Sequence, residues 1–185
     1  MRSDYLDAIK EHYEQCWEAV PNVEAWDKGP VHQLPEGFSV LRFDPSPSRR
    51  MFTYATCGMS NKSDPFPLEL HLFSPEALQA HVELLTVIVH FHRTGTFLGE
   101  GHTVNFGRPW MPNSNCDHGL ISLPYLDGPS LELAEIGNVQ IHFLWLVPIT
   151  RKEVEYKKKF GLEALEDKLE SDGFNYLDPN RKSVV

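Results

Sequence analysis

Hydrophobic and polar positions alternate most plainly between Met51 and Phe73, and the first element they predict is a β-hairpin. Phe52, Tyr54 and Thr56 share one side of its first arm, with Met51, Thr53, Ala55 and Cys57 on the other. A period of two filled with β-branched and aromatic residues marks a strand buried on at least one face. Gly58 closes this arm, and Ser60–Pro67 supplies Asn, Ser, Asp and two prolines, the residues of turns. Leu68, Leu70 and Leu72 then alternate with Glu69, His71 and Phe73. The link is too short for a parallel crossover, so the arms are expected to pair antiparallel.

Helical spacing brackets this hairpin. Leu6, Ile9, Tyr13, Cys16, Trp17 and Val20 form one apolar stripe, which predicts a helix capped by Ser3 and stopped by Pro21. Residues 21–37 read as irregular, and Phe38–Phe43 as a strand leading into the hairpin. Ser74-Pro75-Glu76 has the order of an N-cap, an N1 proline and an acidic first turn, opening a helix over Ala77–Arg93. Beyond it, strands are expected at Thr103–Phe106, Leu120–Tyr125 and Leu131–Ile136, with 109–118 a long loop. Gly137-Asn138 is a two-residue turn signal before Val139–Val147, whose two faces both become apolar, as in a covered central strand. Thr150 and Glu153 have capping-box spacing for a helix reaching about Lys159, resumed by Leu162–Leu169. The order of elements predicts an α+β fold with a mostly antiparallel sheet. Residues 1–185 are expected to form one domain, with a polar, frayed tail over 174–185.

Charge then removes whole classes of partner. The formal net charge is −9 with only 17 Lys and Arg, which argues against binding nucleic acid. Cys16, Cys57 and Cys116 are an odd, scattered set, which fits a reducing compartment rather than a disulfide framework. The first residues are acidic where a signal peptide is apolar, and no apolar run approaches a membrane span. A cytoplasmic protein without membrane partners is expected.

Few residues suggest chemistry. His90 and His92 would share a face of a strand but not of a helix, and no HExxH or Cys/His quartet accompanies them. Cys116-Asp117-His118 puts a thiol, a carboxylate and an imidazole together, although catalytic cysteines generally meet their histidine through the fold. Thr56–Ser60 lacks the second glycine of a nucleophile elbow, with Lys62 in its place. No metal site, cofactor motif or catalytic residue is therefore expected. A metal-dependent or thiol hydrolase built on His90, His92 or residues 116–118 stands as the alternative.

Four blocks, in order, resemble the suppressor of fused domain. They are Phe52–Ser60, Leu68–Leu72, Gly101–Phe106 leading to Pro109 and Pro112, and Val139–Glu153 closing with Phe160–Leu165. The resemblance spans about residues 35–170 and implies a mixed sheet flanked by helices, no enzymatic activity and a protein partner. In animal members a second domain joins this one and the pair grips a peptide as an added strand. A chain of 185 residues has no room for that pair, which points to the lone bacterial type. Many of those are thought to be immunity proteins that neutralise toxins. A partner surface needs aromatic anchors and complementary charge rather than a catalytic constellation. Trp110, Met111 and Tyr125 are the candidate anchors, with Asp64, Asp117 and Asp127 as acidic neighbours; Trp110 and Tyr125 are equally candidates for the core. An open sheet edge that accepts a peptide strand is a further expectation.

Overall fold

The predicted hairpin lies near the middle of an eight-stranded sheet in the computed structural model, which describes residues 2–185. The elements run α1 (Arg2–Trp17), β1 (Asn22–Glu24), β2 (Ser39–Phe43), β3 (Phe52–Cys57), β4 (Leu68–Ser74) and α2 (Gln79–Thr94). They continue with β5 (Thr103–Asn105), β6 (Cys116–Ser122), α3 (Pro129–Glu132), β7 (Leu133–Ile136), β8 (Val139–Thr150), α4 (Arg151–Phe160) and α5 (Leu162–Ser171). Strand order is β1-β2-β3-β4-β8-β6-β5, with β7 hairpinned onto the start of β8. Every pairing is antiparallel except β4 with β8, where Leu68–His71 align with His142–Trp145. That pair can be parallel because α2 and three strands lie in the connection between them. The fold is α+β, as expected.

Alternation along β8 sorts the core. Leu144 and Leu146 pack with Leu70, Leu72, Val82, Leu85 and Ile88, so α2 covers one face of the sheet. Phe143 joins Ile9, Tyr13 and Trp17 of α1, while Trp145, Val147 and Ile149 join Val154, Leu165 and Leu169 of α4 and α5. α1 and the C-terminal helices therefore lie on the opposite face.

A buried carboxylate ties off the hairpin. Glu69 is fully buried and accepts from Thr56 Oγ1 (2.6 Å), from the amides of Gly58, Met59 and Ser60 (3.1, 3.2 and 3.0 Å) and from Ser60 Oγ (2.6 Å). Gly58 turns there with φ +94°, a conformation that glycine adopts without strain. Thr56 Oγ1 accepts the Leu70 amide in turn, and Tyr5 of α1 meets Ser60 Oγ at 2.9 Å, so the clamp also docks the first helix. Burial raises the Glu69 pKa, and the hydrogen bonds from Ser60, Thr56 and Met59 pull against it.

Several local expectations give way to tertiary contacts. Residues 22–24 form an edge strand on β2 rather than irregular chain. α1 ends at Trp17, three residues before Val20, which is exposed; Ser3 lies inside the helix, not at its cap. Ser74 finishes β4 instead of capping α2; its hydroxyl donates to the Glu76 carbonyl and meets His81 Nε2. β6 starts at Cys116, four residues before the expected Leu120 and inside what reads as loop, because Cys116–Ser122 finds a ready partner in Trp145–Thr150. Residues 129–132 are a helical turn, leaving 133–136 as the strand.

The tail is folded back, not frayed. Arg181 is buried and forks onto Glu153, with 2.7 and 2.8 Å bonds to the two carboxylate oxygens and a third, 3.0 Å, to the Pro148 carbonyl. Glu153 also accepts the amides of Thr150 (2.7 Å) and Val184 (3.0 Å), so the predicted capping box doubles as the anchor of the C-terminus. Burial raises the Glu153 pKa, but the bonds and charge of Arg181 and these amides outweigh it and hold the carboxyl below its ordinary value. Arg181→Lys keeps the charge and loses the planar fork, so urea denaturation should show a loss of about 1–2 kcal/mol. An unchanged midpoint would mean that the fork contributes nothing.

Candidate partner-binding groove

Where α5 lies over the sheet, it leaves a groove of about 690 Å³. Its floor is the outward-facing side of two strands, Leu120 and Ser122 of β6 with Trp145 and Val147 of β8. Phe174 and Tyr176, just after α5, close one wall: Trp145 stacks with Phe174 at 6.2 Å and meets Tyr176 edge-on at 5.4 Å. The Arg181 guanidinium sits 5.4 Å over Phe174, so the anchored tail supports this wall.

The polar side of the groove comes from one helix. Glu163, Glu166, Asp167 and Glu170 of α5 line it, and no Lys, Arg or His does. Glu166 is committed internally, accepting from Ser122 Oγ at 2.6 Å and Tyr125 Oη at 3.3 Å, which fixes the distance between α5 and β6. Glu163, Asp167 and Glu170 are exposed and make no ion pair among the described residues. At the mouth, Tyr125 and Leu126 are 60% and 50% exposed, large apolar surfaces left in water.

Of the six residues proposed from sequence, only Tyr125 lines this groove. Trp110 and Met111 are core residues at 3% and 4% exposure, with Trp110 stacked 5.6 Å from His81. Asp64 is held by both guanidinium nitrogens of Arg93 at 2.7 and 2.9 Å and accepts the Asn61 amide. Asp117 is partly exposed on β6, 2.6 Å from His118 Nδ1. Asp127 is buried against Arg49, whose guanidinium lies 4.9 Å over Trp17 and 5.5 Å over Phe73. Asp127 Oδ2 is also 3.8 Å from His71 Nε2, but burial, with the charge of Arg49, drops the His71 pKa to about 3. That imidazole is neutral at pH 7, so Arg49 is the true partner. Asp127 thus anchors the loop that carries Tyr125 and Leu126.

The residues that sequence reasoning missed are Trp145, Phe174, Tyr176 and the α5 carboxylates. A signal for the last was present: apolar positions 162, 165 and 169 alternate with acidic 163, 166, 167 and 170 on an amphipathic helix.

The hydrolase alternative gains no assembled site. His90 and His92 lie on helix α2; His90 Nε2 meets Gln33 at 2.7 Å, while buried His92 accepts the Leu98 amide through Nδ1 at 2.9 Å. Cys116 is buried in the core under α2, and burial raises its thiol pKa, the opposite of an activated nucleophile. Among the described residues no three His, Cys, Asp or Glu side chains gather as metal ligands, and no helix is long and apolar enough to cross a membrane.

Residues 35–182 match the model of the suppressor of fused protein family, and the chain belongs to that family. It is 24% identical over 155 residues to the immunity protein YqcF of Bacillus subtilis strain 168, covering 79% of this chain and 81% of YqcF. Among solved structures it matches a SUFU homologue from Neisseria gonorrhoeae FA 1090 with a TM-score of 0.87 and 30% identity, over 99% and 98% of the two chains. The fold is shared with a crystal structure of the Sufu–Fu complex (TM-score 0.71, 18% identity, 97% of this chain and 92% of that one). Drosophila Suppressor of Fused matches with a TM-score of 0.69 at 16% identity, over 97% of this chain and 51% of the fly chain. The groove lies wholly inside the residues that define the family.

Proposed function

We propose that this chain is a non-catalytic, cytoplasmic protein-binding module, and that as an immunity protein it neutralises a cognate toxin. The observation that carries the proposal is the groove: an aromatic floor and unpaired carboxylates, with no nucleophile and base brought together in it. Such a surface is suited to seat a side chain of another protein and poorly suited to bond-making chemistry. The likeness to an immunity protein, YqcF, supports the finer reading. Strand addition is less favoured, because the sheet's outlying strands β1, β5 and β7 are only three or four residues long.

The test is biological and then biochemical. A protein that co-purifies with this chain from its source should arrest growth when expressed alone and lose that effect when both are expressed. A partner that is harmless alone, or turnover of a substrate by the purified chain, would sink the proposal. With a partner in hand, Tyr125→Ala should weaken binding by about 1–2 kcal/mol, roughly five- to thirtyfold, as expected for an exposed aromatic anchor. Calorimetry would measure it, and an unchanged Kd would remove Tyr125 from the interface.

A further inference from the structure

The charge of the groove says more about its occupant than its shape does. Three exposed carboxylates, Glu163, Asp167 and Glu170, stand on one wall; none makes an ion pair among the described residues, and no cation lines the groove. Water screens each of them singly, but charges of one sign lining a concave surface add, and they steer cations in while repelling anions. Phosphorylated ligands and acidic segments are therefore rejected by the wall that an apolar group must pass. Beneath it, Trp145, Phe174 and Tyr176 offer aromatic contact. The indole N–H of Trp145, itself 4% exposed, donates to nothing. A buried donor without an acceptor is costly, so the floor carries unmet hydrogen-bonding capacity.

From these features we infer that the groove takes a cationic segment of the partner protein, with one aromatic or large aliphatic side chain between Lys or Arg residues. The apolar side chain seats against Trp145, Phe174 and Tyr176, and the flanking cations pair with Glu163, Asp167 and Glu170. This inference rests on the protein-binding reading above and gives its partner a chemistry. The floor supplies the affinity, because desolvated aromatic contact dominates such interfaces, and the carboxylates supply orientation and approach rate. The chain carries a partial match itself, with cations on one side of the aromatic: Lys157-Lys158-Lys159-Phe160, with Phe160 53% exposed, at the end of α4. A second copy is thus the competing occupant.

The experiment needs no knowledge of the natural partner. Full-length ¹⁵N-labelled protein is titrated to millimolar concentration with acetyl-Lys-Trp-Lys-amide, and separately with acetyl-Glu-Trp-Glu-amide. The cationic probe should shift the Trp145 indole resonance and the amides of Ser122, Tyr125, Gly173 and Tyr176, binding at least about tenfold more tightly than the acidic one and weakening as salt rises. The triple variant Glu163→Lys, Asp167→Lys, Glu170→Lys should abolish this preference while keeping the near-ultraviolet circular dichroism of the folded chain. Equal shifts with both probes, shifts confined to another surface, or none at millimolar probe would overturn the inference. So would a mass of two chains in which Phe160→Ser restores the monomer and changes the groove resonances. None of these outcomes bears on whether a co-purified protein is toxic, so the failure of either proposal is told apart from the failure of the other.

Discussion

Lowering the pH from 7 to 5 should remove about 5 kcal/mol of stability, a large part of what a single domain has. Three fully buried imidazoles are responsible. Burial lowers His71 to about 3, assisted by Arg49; burial lowers His81 to about 4, assisted by Arg108, and His92 to about 4, assisted by Arg93. In the unfolded chain each would titrate near its ordinary 6.5. As the pH falls through that value, the unfolded state takes up protons that the folded state refuses, and the equilibrium moves toward unfolding. The stability is present above about pH 6.5 and drains down to pH 3–4, where the folded-state groups finally titrate. Each group contributes at most about 1.4 kcal/mol per pH unit in this window. Glu69, whose carboxyl burial holds above its usual range, works against the loss toward the acidic end. Urea midpoints at pH 7, 6 and 5 measure the slope. His71→Met should flatten it by about a third, since that imidazole has no hydrogen-bond partner to orphan. A midpoint that stays level from pH 7 to 5 would show that these histidines are not held neutral.

Glu69→Ala should cost about 3–5 kcal/mol, because it strands the buried amides of Gly58, Met59 and Ser60 and two hydroxyls without their acceptor. Glu69→Gln keeps the shape but turns an amide NH₂ toward donors, so it recovers only part of the loss. The damage should reach α1 through Tyr5 and Ser60, and faster amide hydrogen exchange across Arg2–Trp17 would report it. If Glu69→Ala unfolds at the wild-type urea concentration, the carboxylate is not what closes the hairpin.

Both effects start from side chains whose burial the sequence does not announce. Glu69 and His71 alternate with leucines along the second arm of the hairpin, yet both are fully buried, because α1 packs on their face of the sheet. The same limit explains the site. Tyr125 was legible as an aromatic beside a turn, whereas Trp110, in an equally polar and proline-rich stretch, proved to be core. Nothing local distinguishes the two. Asp64 and Asp127 looked like free surface charge, but Arg93 and Arg49, far away in sequence, pair with them.

By itself the sequence determined the central hairpin, the hairpin turn at Gly137, the capping box at Thr150, the helix periodicities, the α+β class and the family resemblance. Each depends on residues within a few positions of one another or on a short motif. Tertiary structure decided the parallel pairing of β4 with β8, the early start of β6, the burial of Arg181 against Glu153 and the groove itself. These join groups up to dozens of residues apart, and their energy comes from contacts that exist only once the sheet has aligned its strands. Local propensity is worth tenths of a kcal/mol per residue, whereas leaving a strand or a buried charge without its partner costs several times that, so the long-range partner wins wherever the two disagree.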